Sequence, residues 1–126
     1  MPAPPRLKIK IQIHCEDEIA IGPGKADLLE AIRRHGSISA AGRAMDMSYR
    51  RAWLLVDTMN RCWDGPLVQT SPGRSATSGA RLTELGEQVL AHYRTLQDDI
   101  VRAAHGADYD ALAKRLRSVP RSSQKD

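Results

Sequence analysis

The sequence contains no phenylalanine, and tryptophan and tyrosine together bring its aromatic content to only 4%. So sparse a set argues against an RNA-binding sheet or a single-strand platform, both of which stack bases on aromatic rings. Cysteine occurs twice, at Cys15 and Cys62. That is too few for a disulfide framework, and neither a CxxC pair nor a His/Cys cluster offers zinc-ligand spacing. No apolar run approaches the roughly 18 residues that a membrane span requires. The opening MPAPPRLKIK has neither the apolar stretch nor the cleavage site of a secretory signal. These absences predict a cytoplasmic protein with no membrane partner. Catalytic signatures are missing as well. Gly22-Pro23-Gly24-Lys25 lacks the G-x-x-x-x-G-K-[ST] spacing of a phosphate loop. His14, His35, His92 and His105 share no ligand spacing, and Cys62 beside Trp63 reads as a small buried residue, not a nucleophile. The expectation is a protein that is not an enzyme and carries no cofactor or metal.

What is present fits one ordinary globular domain: 126 residues, 41% hydrophobic and 27% charged. The net charge of +4 is unevenly placed. Residues 1–32 carry four bases and five acids, and residues 82–126 carry seven of each. Residues 33–81 carry eight bases, all arginine, against three acids. The excess therefore sits in the middle of the chain. Arginine grips phosphate or guanine in bidentate fashion, so a block of arginines raises the prior for a nucleic-acid surface.

Local patterns divide the chain into elements. Residues 7–15, LKIKIQIHC, alternate apolar and polar with period two and predict a half-buried strand. Ile19-Ala20-Ile21 offers a short second strand before Gly22-Pro23-Gly24 breaks the chain. A helix over about 24–35 follows, with Gly36 as a left-handed stop and Ser37 or Ser39 capping a short, slim helix through about Met45. Asp46 suits a tight left-handed turn, and Ser48 caps a third helix to about Cys62 with Ala52, Leu55, Val56 and Met59 inward. A strand at 67–70, a small-residue loop and a returning strand at 80–82 make a hairpin. Thr83 caps a long helix over 84–104, Asp108 can cap a final helix, and Pro120–Asp126 reads as a disordered tail.

This order predicts an α+β, mostly α fold: a winged helix-turn-helix with an N-terminal strand and a long C-terminal dimerisation helix. It would form a single domain over residues 1–117, followed by a tail over 118–126. A helix-turn-helix needs a small residue where its helices approach, here Ala41, a sharp turn at Met45-Asp46-Met47, and a second helix whose first turn projects polar groups. The candidate DNA-contacting residues are Ser48, Tyr49, Arg50, Arg51 and Leu54 on that helix. Arg43 and Arg61 are candidate phosphate contacts, and Arg74 and Arg81 belong to the wing. Ordinary solvated arginines on a helical hairpin, or a plain flexible loop, are the bland alternatives. Trp53 and Trp63 read as packing anchors.

The run GSISAAGRAMDMSYRRAW, the later Val56 and Met59-Asn60, and LTELG at 82–86 resemble the N-terminal domain of ModE-type molybdate-responsive regulators. The preceding AIGPGKADLLEAI fits the same family. LysR-type DNA-binding domains share a looser frame but typically lack the S-Y-x-x-A-W opening of the recognition helix. The resemblance covers roughly residues 7–105. It implies a homodimeric transcription regulator that binds double-stranded DNA at a palindromic operator through Ser48–Asn60. Family members that sense molybdate directly carry C-terminal oxyanion-binding domains of a β-barrel kind, and nothing after Arg117 could form one. Molybdate binding is therefore not expected of this chain alone. A winged-helix module that binds a protein partner without intrinsic DNA binding is the alternative.

Overall fold

A computed structural model describes residues 6–71 and 79–125. Its chain separates into two compact units, one built from residues 10–95 and the other from the ends of the described chain. The larger unit begins with β1 (Ile13–Cys15) and β2 (Glu18–Ile21), followed by helices α1 (Pro23–His35), α2 (Ile38–Ala44) and α3 (Tyr49–Cys62). Strands β3 (Val68–Ser71) and β4 (Gly79–Leu82) precede α4 (Glu84–Ala104) and α5 (Ala107–Arg115). Both sheets are two-stranded and antiparallel, so the fold is α+β and mostly helical.

The three short helices close on one apolar centre. Ile21, Leu28, Leu29, Ile32, Met59, Leu67 and Val68 are fully buried, drawn from β2, α1, α3 and the start of β3. Local chemistry sets the boundaries. Gly36 takes φ 78° at the end of α1, Ser37 Oγ accepts from the Ala40 N–H at 3.0 Å to open α2, and Ser48 Oγ accepts from the Arg51 N–H at 3.1 Å to open α3. Thr83 caps α4 by accepting from the Gly86 N–H at 2.9 Å while its hydroxyl donates to Pro66 O at 2.7 Å. These agree with the sequence. The register pairs Val68 with Leu82 and Ser71 with Gly79, and residues 72–78, including Arg74, lie outside the described residues.

Three expectations change. The strand predicted over 7–15 is regular only at Ile13–Cys15, where β2 supplies partners; the register shifts between Ile13 and His14. Period-two patterning assigns faces, but a strand persists only as far as a neighbour offers backbone groups. Ile13 is 38% exposed and Cys15 is exposed, whereas Ile11 is held at its carbonyl by the Tyr93 hydroxyl at 2.7 Å. Trp63 is an anchor, donating from Nε1 to Ala20 O at 3.2 Å, but Trp53 is 45% exposed and anchors nothing in the core. Asp108 lies inside the first turn of α5, where its charge favours the helix N-terminus; Gly106 is the capping position and supplies no side chain.

In the smaller unit, the last two turns of α4 hold Leu96, 37% exposed, and the half-buried Ile100 and Val101. His105 meets Tyr109 edge-on at 4.7 Å. Leu112 and Leu116 are 72% and 61% exposed, so α5 does not bury its own apolar residues. Among the described residues, no helix is long and apolar enough to cross a membrane.

Candidate nucleic-acid interface

The turn between α2 and α3 is tight because small residues allow it. A Cβ on Gly42 would stand 3.3 Å from both Ala52 Cβ and Met47 O, so a larger residue would push the helices apart. Ala41 is fully buried beside it. Asp46 takes φ 58°, and the Met47 N–H returns to Gly42 O at 2.9 Å. Ser48 then starts α3 at a fixed angle to α2.

Helical periodicity sorts α3 into two faces. Ala52, Val56 and Met59 are buried, which turns the opposite side outward. Tyr49 is 57% exposed, Leu54 is 45% exposed, and Arg50 and Arg51 are exposed beside them. The structure thus brings Ser48, Tyr49, Arg50, Arg51 and Leu54 together at one helix end. Among the described residues, no acid pairs with Arg50 or Arg51. An open cavity of about 220 Å³ is lined by Ser48, Arg50, Arg51, Leu54 and Leu55.

The other arginines are placed differently. Arg43, on α2, donates to Ser39 Oγ at 2.8 Å. Arg61, in the last turn of α3, is held by Asp57 at 3.0 Å and lies 3.7 Å from Glu18. Arg81, on β4, donates to Gln69 Oε1 at 3.3 Å.

Two residues outside the sequence-predicted DNA-contacting set border this surface. Lys25 lines a second cavity, of about 180 Å³, together with Arg51, Gln12 and Gly24. Burial pushes its ammonium below the usual lysine range, and the neighbouring Arg51 charge adds to that shift. Trp53 projects from the second turn of α3. Its position was visible in the pattern, because the inward stripe of Ala52, Val56 and Met59 leaves residue 53 to one side. Burial also pushes the Cys62 thiol up, with the Cys15 thiol beside it as a second cause; the β1–β2 hairpin meets this end of α3 where Arg61 lies 3.7 Å from Glu18. No group of three metal-ligating side chains occurs among the described residues. The arrangement can present two arginines, a phenol and apolar side chains to a polyanion.

No family model matches the chain. Individual proteins do. It is 39% identical over 83 residues to the molybdenum-pterin-binding protein MopA of Rhodobacter capsulatus, covering 66% of this chain and 31% of that protein. It is 33% identical over 114 residues to the molybdenum transport protein ModE of Azotobacter vinelandii, covering 90% of this chain and 40% of that one. The DNA-binding transcriptional dual regulator ModE of Escherichia coli K12 is 28% identical over 91 residues, covering 72% of this chain and 35% of the regulator. The chain thus spans well under half the length of these curated relatives. By sequence the chain is a homologue of ModE and Mop proteins, of which MopA and the Azotobacter ModE are named for molybdenum and the Escherichia coli ModE is a transcriptional regulator.

Proposed function

We propose that the chain is a sequence-specific, double-stranded DNA-binding transcriptional regulator, acting as a homodimer on a palindromic operator. The observation that carries this is the opening of α3: exposed Arg50 and Arg51, without acid partners among the described residues, flank exposed Tyr49 and Leu54 behind a serine cap. In this account α2 and α3 are a helix-turn-helix, β3 and β4 the wing, and α3 the recognition helix lying in the major groove. Arg50 or Arg51 grips guanine N7 and O6 while the other holds phosphate, and Tyr49 donates to phosphate or meets a thymine methyl. Ser48 sets the helix start. Arg43, Arg61, Arg74 and Arg81 supply backbone contacts of lesser weight, since Arg43, Arg61 and Arg81 already have side-chain partners.

The homodimer is supported by apolar surface that one chain leaves uncovered: Ile13 on β1, and Leu96, Leu112 and Leu116 in the smaller unit. A two-fold dimer would read two half-sites about one helical turn, roughly 10 base pairs, or more apart. Selection of bound sequences from a random duplex pool tests the proposal. It should return an inverted repeat. Recovery of no enriched sequence, with no duplex binding at roughly 50 mM salt, would sink the DNA reading and favour a protein partner for the same face.

A further inference from the structure

Trp53 and Leu54 form an apolar ridge with Arg50 and Arg51 before it on α3 and the Asp57–Arg61 pair after it. Each is 45% exposed, and Tyr49, one helical turn before Trp53, is 57% exposed. Arg50 stands one turn before Leu54 on the same outward side. A ridge of this kind needs an occupant that offers both negative charge and an apolar spot. A protein groove complementary to it would have to place acids beside apolar side chains. The major groove offers both at once: phosphates line its edges, and the thymine C5-methyl is the apolar group that the base pairs display there.

We infer that Trp53, together with Leu54, reads a thymine methyl in each half-site. This deepens the DNA reading and rests on it. The indole contributes contact area that no hydrogen bond reproduces, so the discrimination is between thymine and the same base without its methyl group. Trp53 is thus a specificity residue, distinct from the arginines that read guanine and phosphate. Lying on the second turn of α3, it would meet a base pair displaced along the groove from the one read by Arg50 or Arg51.

The test replaces single thymines in the selected duplex by deoxyuridine, which removes one methyl and leaves pairing intact. Wild-type affinity should fall about fourfold at one position per half-site, the factor expected for losing one buried methyl-sized group. Trp53→Ala, on an exposed site, should keep the native circular dichroism, and in it the same replacement should have no effect. Leu54→Ala should reduce the discrimination in part. Equal binding of thymine and deoxyuridine duplexes at every position by the wild type would overturn the inference while leaving DNA binding in place. Discrimination undiminished in Trp53→Ala would assign the methyl contact elsewhere and overturn it too. A Trp53→Ala variant whose particle size changes in light scattering, with base discrimination intact, would make the ridge a self-association surface and equally contradict the inference. Failure to bind any duplex would strike the DNA reading itself, so the two failures remain distinct.

Discussion

Asn60 holds the backbone of Val68 at both ends: its Nδ2 donates to Val68 O at 3.0 Å while its Oδ1 accepts from Val68 N at 3.0 Å. The same Oδ1 accepts from Leu67 N at 2.8 Å. A single amide thereby clamps the start of β3 to the last turns of α3, and so sets the hairpin relative to the outward face of that helix. Leu67 and Val68 are almost completely buried, so these peptide groups have little access to water. Asn60→Ala should destabilise the fold by about 3 kcal/mol, the cost of leaving buried backbone groups unpaired. Asn60→Asp keeps an acceptor but sets a second oxygen against Val68 O, and should fall between wild type and Asn60→Ala. Urea denaturation midpoints read both.

The same corner depends on Gly86. A Cβ there would collide with the carbonyl of Leu67, which is backbone and cannot swing aside. Gly86→Ala should therefore cost about 2 kcal/mol or more as α4 is pushed off β3. Gly24→Ala is the control: nothing lies within 4 Å of its Cβ position in the first turn of α1. That substitution should be neutral or slightly stabilising in thermal unfolding, since alanine is the better helix former.

Arg94 on α4 reaches Asp27 at 2.7 Å and Glu30 at 2.9 Å on α1. Its hydrogen bond holds the Glu30 carboxyl below the usual carboxylate range. A carboxyl depressed in the folded state stabilises above its unfolded pKa and loses that contribution as pH falls through the folded value. Arg94→Ala should cost about 1 kcal/mol or less near pH 7, because Glu30 is 37% exposed and the pair is partly screened. The difference from wild type should narrow as the pH drops below about 4. A gap that stays constant from pH 7 to 3 would mean that Arg94 acts by packing alone.

The relatives include proteins named for molybdenum, yet this chain matches only 31% to 40% of the length of the three compared. An oxyanion sensor needs a preorganised pocket of N–H groups, hydroxyls or cations. Among the described residues, two cavities beside α3 are open and line the face proposed to meet DNA. Calorimetry on the 126-residue chain at neutral pH should give no saturable heat with molybdate or tungstate. Stoichiometric micromolar binding would make the chain a direct sensor.

Much of this architecture is legible in local sequence, and for identifiable reasons. Ser37, Ser48 and Thr83 are short hydroxyl side chains placed one residue before helical periodicity begins. Gly36 and Asp46 stand where the chain must take positive φ, and both do. The limits of α4 follow from its apolar repeat. The strand over 7–15 was overextended because alternation says which side chains share a face and nothing about where the partner strand ends. The clamp by Asn60 was invisible because it depends on a residue seven or eight positions away whose depth only the fold sets. At the candidate site, the arginines announce themselves by clustering, while Trp53 reads as a packing anchor only on the general habit of tryptophan, against its position off the inward stripe of α3. The placement of Lys25 is not legible in the sequence because only the packing of α1 beside α3 brings it near Arg51.

The central claim is that the opening of α3 reads DNA, and fluorescence anisotropy with the selected duplex tests it most directly. Wild type should bind with an affinity that falls steeply as salt rises, because phosphate contacts release counterions. Arg50→Ala or Arg51→Ala should weaken binding by about 1–3 kcal/mol, roughly 5- to 150-fold, and at least one of them should relax preference at a single base position. If both variants bind the same duplex with unchanged affinity, base preference and salt slope, α3 does not read DNA and the account fails.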